Sequence, residues 1–352
     1  MRLGFYNFYK QYNQNQMFQN VSVEIGDDLG YPSVFLAKHI RSLGHEVATI
    51  DTAPLESFDA VVFLDYPTKL NSYFRRLVKR GDIPIYLVLF ESSSVRPDNW
   101  NRANHTPFKK VFTWDPAWVD GQKYIQMHNP YRLPDFAPYE RSQADKFCCL
   151  IASQKYSWVK EELYTERVRA IRWFEKNHPD EFDLYGQRWD RFYLQGKLSI
   201  LNPVLARIYK KFPGLPQRQI FPSFRGSVAS KREVMRQYRF SICYENASYR
   251  GWITEKMLDA MFAGSVPIYQ GAPEVAELIP PNTFIDKRNF ASYEALYRYM
   301  KGMSEEEYEG YRQAGHKFIH GDLIKPWGAE AFAQIIVREI ITSDKTVERN
   351  MR

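Results

Sequence analysis

Short apolar runs separated by helix-length amphipathic segments recur along this chain, and that alternation constrains its fold more than any other feature. The runs 3–7, 46–50, 60–64 and 84–90 are too short for buried helices and suit strands covered on both faces, as parallel strands are. Between them, residues 31–43 carry apolar side chains at helical spacing, with Pro32 in the first turn and Gly44 as the stop. Residues 70–79 read as a crossover helix. Strands alternating with helices specify a doubly wound parallel sheet.

The pattern then restarts. Residues 129–146, NPYRLPDFAPYERSQADK, are polar and proline-rich and read as an interdomain linker. Beyond them, strands are predicted at 147–152, 182–185, 240–244, 266–269 and 284–286, and helices at 161–176, 231–237, 254–262, 273–279 and 292–300. The reading is therefore two α/β domains, 1–140 and 147–325, with a C-terminal helix in 326–352 that packs back on the first. A chain of 352 residues suits two cores better than one. Residues 187–225 interrupt the rhythm with basic and aromatic side chains. Within them PVLARIYKKF, 203–212, reads as a short amphipathic helix that touches membrane or acceptor, or else packs on its own domain.

Charge narrows the partners. Lys plus Arg number 48 against 41 Asp plus Glu, a net +7, which favours an anionic partner such as a nucleotide sugar, a phosphorylated glycolipid or a membrane surface. No dense basic tract of the nucleic-acid kind is present, so a nucleic-acid partner is not expected. Cys148, Cys149 and Cys243 form no disulfide framework, and no His/Cys spacing suggests zinc. No apolar run resembles a signal peptide or a membrane span. The expectation is a cytoplasmic protein, with peripheral association at the inner face of the membrane as its one membrane role.

The chemistry concentrates in FSICYENASYRGWITEKMLDAMFAGSVPIYQGAPEVAELIP, residues 240–280. A buried strand delivers Glu245 and Asn246 at its carboxyl end, where open α/β sheets bind ligands. The loop then enters a helix whose first turn holds Thr254, Glu255 and Lys256. A helix start offers free N–H groups and the positive end of the dipole, both suited to a diphosphate, and Lys256 adds a full charge. Glu255 is the wrong sign for phosphate and suits ribose or sugar hydroxyls. Taken alone, a Glu in a first turn is ordinary helix charging.

The spacing YEN, seven residues, WITEK, then AGSVPIYQGAP resembles the C-terminal signature of the α-1,3/4-fucosyltransferase family, from about Lys231 to Phe318. The resemblance implies the GT-B architecture, two Rossmann-like doubly wound domains facing a cleft, and a GDP-fucose donor bound by the second domain. It implies donor-binding roles for Glu245, Asn246, Thr254, Glu255 and Lys256, with the ammonium on the diphosphate and Glu245 shaping the loop or touching donor. Trp252 stands where the family carries Tyr, so a ring remains but the hydroxyl is gone, and Ala247 replaces a Ser. Upstream, the helix YTERVRAIRWFEK before DLYG matches one that supplies an Arg to the donor phosphates. Arg167 fits best, with Arg169 and Arg172 as alternative registers. The stretch LVLFESSSVRPDNW sets Glu91 directly after an apolar strand, similar to the family's Phe-Glu-Ser-Pro element, whose Glu is the general base; Ser93 replaces its Pro.

The implied activity is inverting, metal-independent hexosyl transfer. Glu91 takes the proton of a glycan or glycolipid hydroxyl, on N-acetylglucosamine by family analogy, and Arg167, Lys256 and the Thr254 amide stabilise departing GDP. No Asp-x-Asp pair at a strand end offers itself as a metal site. Two alternatives stay open: a GT-B transferase for another GDP-sugar, and a non-catalytic nucleotide- or glycan-binding protein. His105 and His128 are minor candidates for acceptor contact, and Trp100 and Trp114 for sugar stacking.

Overall fold

The computed structural model describes residues 1–19, 27–141, 144–194, 196–212, 214 and 221–342. It divides into one unit formed by Met1–Leu133 with the chain from Ile324, and a second formed by Pro134–Leu323.

The first unit is a six-stranded, all-parallel sheet. In chain order it contains β1 (Arg2–Asn7), α1 (Tyr31–Ser42), β2 (Glu46–Thr49), β3 (Ala60–Leu64), α2 (Ser72–Arg80), β4 (Ile85–Val88), β5 (Lys110–Thr113) and β6 (Tyr124–Gln126). The strand order is β2-β1-β3-β4-β5-β6. Every residue of β3 and β4 is buried, as the uninterrupted apolar runs require. The last two strands, KVFT and YIQ, were not anticipated. Each is short, and the turns around them carry Trp, His and Tyr that blur the apolar pattern.

The second unit is a five-stranded parallel sheet ordered β11-β10-β9-β7-β8. Its elements are β7 (Lys146–Ile151), α3 (Tyr164–Asn177), β8 (Phe182–Tyr185), α4 (Asn202–Lys211), α5 (Lys231–Met235), β9 (Tyr238–Tyr244), α6 (Glu255–Ala263), β10 (Val266–Gln270), α7 (Val275–Leu278), β11 (Ile285–Asp286), α8 (Tyr293–Gly302) and α9 (Glu305–Ile319). The sequence reading passed over α9, although Ser304 caps it on the Glu307 amide and three glutamates fill its first turn. At the other end of the chain, α10 (Ala329–Ile336) returns to the first unit. There Phe332, Ala333 and Ile336 join the core formed by Leu3, Phe5 and Val62. The helical expectation for 326–352 extends past residue 342, outside the described residues.

Both sheets run outward in two directions from an inner strand, which creates a switch point in each. In the second unit the chain goes from β7 to β8 on one side and then to β9 on the other. The crevice at the carboxyl ends of β7 and β9 is where such a sheet leaves room for a ligand.

Candidate functional site

At that switch point lies a small crevice. Ile151 and Ala152 line it from the end of β7, Cys243 and Tyr244 from the end of β9, and Arg167, Lys231 and Lys256 bring three cations.

Glu245 organises the floor. It is the first residue after β9 and is fully buried. One carboxylate oxygen accepts from the Thr254 backbone N–H at 2.8 Å, and the other from the Thr254 hydroxyl at 2.7 Å and Lys256 Nζ at 3.0 Å. A buried carboxylate needs such partners to stay ionised. Gly271 makes the arrangement possible: a Cβ there would lie 2.5 Å from the Glu245 side chain and 2.3 Å from the Tyr269 hydroxyl. The glycine of AGSVPIYQGAP is thus required by packing. Glu245 therefore sits beneath the loop as its anchor. Thr254 also differs from expectation, because its amide N–H is already given to Glu245 and is not available to a phosphate.

Lys256 opens α6 and donates to Glu245 at 3.0 Å, to the Thr254 hydroxyl at 2.8 Å and to Glu255 at 3.3 Å. An ammonium has three donors, so all are engaged within the protein. Burial disfavours its charge, but Glu245 and Glu255 outweigh that and hold its pKa above the usual lysine range. Burial likewise disfavours ionised Glu255, and Lys256 and Lys231 reverse the effect, keeping the carboxyl well below its ordinary range. Both groups are charged at neutral pH. Lys256 contributes field to the pocket in this state more than a free hydrogen bond.

Arg167 is the register the structure singles out. Its side chain, 3% exposed, points from α3 to the end of β9. Nε and Nη2 donate to the Tyr244 carbonyl at 3.2 and 2.6 Å, and Nη2 also reaches Asn246 Oδ1 at 3.0 Å. Nη1 keeps no hydrogen-bond partner among the described residues. Arg169 instead pairs with Glu166 at the surface, and Arg172 with Glu175. Asn246 is half-buried, and its backbone carbonyl accepts from Leu163, which ties the loop to the start of α3. Trp252, 3% exposed, is built into the interior, its carbonyl accepting from Tyr269.

Lys231, the first residue of α5, was not singled out by sequence reasoning. Its ammonium lies 3.6 Å from Asp259 and 3.9 Å from Glu255, two loose ion pairs with no closer hydrogen bond among the described residues. Nothing marks KREVM as functional on its own, and only its place at the start of the matched stretch pointed there.

In the first unit, Glu91 follows β4 and is half-buried. Its backbone is held from both sides. The N–H donates to Asp65 Oδ1 at 3.0 Å, and the carbonyl accepts from Asn99 Nδ2 and Trp100 Nε1, each at 3.1 Å. Asp65 Oδ1 also accepts from the Phe90 amide at 2.8 Å and Asn99 Nδ2 at 2.7 Å. Asp65 is buried, sits at φ 61° and has its pKa raised by burial, against the partial relief of these hydrogen bonds and of Arg96. Sequence reasoning missed Asp65, though it is the first polar residue after an apolar strand, the same signal that marked Glu91. Tyr9 stands close by: its hydroxyl is pushed up by burial and then by the Glu91 and Asp65 carboxylates.

The minor candidates are structural. His105 bonds the Asn99 carbonyl at 2.8 Å and the Tyr124 hydroxyl at 3.1 Å. His128 stacks on Trp327, and burial lowers its pKa to about 4. Trp100 packs against Trp114 at 4.5 Å between ring centroids. Among the described residues no group of three or more His, Cys, Asp and Glu is gathered to hold a metal ion.

Comparison with known proteins identifies what the chain resembles. Residues 218–318 match the family model described as the glycosyltransferase family 10 (fucosyltransferase) C-terminal domain. An α-(1,3)-fucosyltransferase of Helicobacter pylori is 37% identical over 75 residues, 21% of this chain and 16% of that protein. An α-(1,4)-fucosyltransferase of Arabidopsis thaliana is 36% identical over 87 residues, 23% of this chain and 22% of that protein. The matched stretches thus span less than a quarter of these relatives' length. A solved α1,3-fucosyltransferase with GDP shares the fold across 89% of this chain and 81% of its own, with a TM-score of 0.53 and 16% identity. The fold is GT-B, with two parallel-sheet α/β domains.

Proposed function

From the match of residues 218–318 to the glycosyltransferase family 10 (fucosyltransferase) model, we propose that this chain is an inverting enzyme transferring L-fucose from GDP-β-L-fucose to a glycan hydroxyl. The observation that carries the reading is the pocket at the β7/β9 switch point, lined by Arg167, Lys231 and Lys256. A diphosphate is the ligand this charge suits: Arg167 offers its free Nη1 and Lys231 its loosely held ammonium. Lys256 supplies charge from behind, and its longest bond, to Glu255 at 3.3 Å, is the one a phosphate oxygen would replace. Asn246 and Glu255 are then left to hydroxyls of ribose or fucose.

Glu91 is the proposed base. It removes the acceptor hydroxyl proton while that oxygen attacks the anomeric carbon and the bond from that carbon to the phosphate oxygen breaks. The electron pair leaves with GDP, whose developing charge the cations of the second unit stabilise. Because the attacking oxygen and the leaving phosphate stand on opposite sides, a β-linked donor gives an α-linked product. The same residues do this work without a metal ion in the proposed scheme. The acceptor side of the proposal is an α-1,3 or α-1,4 linkage, the linkages that the names of the matched relatives carry, with an N-acetylglucosamine-containing glycan as the acceptor by family analogy alone.

The test is transfer itself. Purified protein is incubated with labelled GDP-fucose, GDP-mannose and other GDP-sugars over an acceptor panel. Product from GDP-fucose alone supports the reading. Turnover of a different GDP-sugar, or GDP binding with no turnover of any, would replace it.

A further inference from the structure

Residues 191–232 contain nine Lys and Arg and no Asp or Glu. That single stretch exceeds the net charge of the whole chain, for it leaves 39 Lys plus Arg against 41 Asp plus Glu elsewhere. The same stretch gathers exposed apolar side chains. Of the sixteen large hydrophobic residues exposed among the described residues, six lie between 198 and 212.

Their placement is ordered. Leu201, Val204, Ile208 and Phe212 are spaced three, four and four apart, so they form one stripe along α4, and all are exposed. Leu198 and Ile200, 61% and 62% exposed, extend the apolar surface past the start of the helix. Arg207 and Lys211, four residues apart, run along one side of the stripe, while Lys197 precedes the helix and Lys210 falls about half a turn away from the stripe. None of these four cations has a carboxylate partner among the described residues. The opposite side of the segment is anchored: buried Asn202 accepts from the Leu194 amide at 2.9 Å and donates to its carbonyl at 2.8 Å. A helix held from within, with an apolar stripe outward and cations of one sign beside it, is built to lie on a surface that is apolar below and anionic above.

We propose that α4 and the turn before it dock the second unit on an anionic lipid bilayer, the apolar stripe entering the acyl boundary while Lys197, Arg207 and Lys211 meet the headgroups. Charge selects this occupant over a second copy of the chain, since two copies of one basic face repel. No helix among the described residues is long and apolar enough to cross a membrane, and α4, with 10 residues, is about half the length of a span and would lie in the interface. An acceptor carried on a lipid would be met at this surface.

The test is co-sedimentation of the full chain with vesicles of phosphatidylcholine alone and of phosphatidylcholine with phosphatidylglycerol. The expected result is binding to the mixed vesicles only, weakening as salt rises. Arg207→Glu/Lys211→Glu should lower the partition coefficient roughly tenfold or more, and Val204→Glu/Ile208→Glu should abolish binding. All four side chains are exposed, so the melting temperature should stay at the wild-type value and show that the fold is intact. Equal binding by wild type and variants, absence of binding to mixed vesicles, or self-association in analytical ultracentrifugation that Val204→Glu/Ile208→Glu removes would overturn the proposal.

Discussion

The two units solve one problem in two ways. Each places a buried carboxylate beneath its functional segment to hold backbone that belongs to neither helix nor strand. In the second unit Glu245 is matched by the full charge of Lys256 at 3.0 Å and by both donors of Thr254. In the first, Asp65 is held by two backbone amides and the Asn99 amide, with Arg96 only as a more distant charge. The charged partner gives the anchor of the second unit a buried counter-ion. The neutral partners leave the Glu91-side anchor with a raised pKa and therefore sensitive to pH. On the proposed reading, a phosphate pocket needs constant charge, whereas a segment that positions one base needs only geometry.

The largest effect that would sharpen this contrast is expected at the base. Glu91→Gln keeps the shape of the strand end and should lower transfer by about 10²- to 10⁴-fold, with GDP affinity unchanged in calorimetry. A matching fall in GDP affinity would contradict the division of labour. Next comes Glu245→Gln, which leaves the Lys256 ammonium without its buried counter-charge. It should cost on the order of 3 kcal/mol in denaturant unfolding and weaken GDP binding as well. Lys231→Ala should be milder, because its ion pairs are long: GDP affinity falling about fivefold, roughly 1 kcal/mol, with stability nearly constant.

The smallest effect is expected at Asp65, and its sign is opposite to that at Glu245. A carboxyl whose folded pKa is raised contributes stability that is fully present below the ordinary carboxylate range and lost as pH rises through the folded value. Asp65→Asn keeps an acceptor for the same donors and carries no charge. It should unfold at neutral pH at a temperature no lower than wild type, with the difference within about 1 kcal/mol and vanishing in acid. Thermal melts of both proteins from acid to neutral pH read this directly. A variant that melts far below wild type at neutral pH would place Asp65 in a charge network of the Glu245 kind.

Much of this was legible in the sequence because parallel strands buried on both faces write themselves as apolar runs. The strand ends they predict located Glu91, Glu245 and Asn246. What the sequence did not reveal depends on distances between residues far apart in the chain. The sequence leaves Glu245 between shaping the loop and touching donor, and only the position of Gly271 and Thr254 shows that its carboxylate turns inward. Arg167, Arg169 and Arg172 were separable by spacing alone only as a preference, since the helix decides which one faces β9. Asp65 carried the same strand-end signal as Glu91 and was passed over. Its role lies in the amides it accepts, and hydrogen bonds to backbone leave no residue-type pattern. The short strands β5 and β6 were lost because three- and four-residue runs barely exceed background.

The central claim is that the pocket between the ends of β7 and β9 grips a pyrophosphate. The measurement that tests it most directly is calorimetric titration of the wild-type protein with GDP, GMP and guanosine, repeated for Arg167→Ala and Lys231→Ala. The account predicts that affinity falls stepwise as phosphates are removed from the ligand, and that both variants narrow the gap between GDP and guanosine. Equal affinity for GDP and guanosine, or a gap that survives loss of both cations, would contradict it.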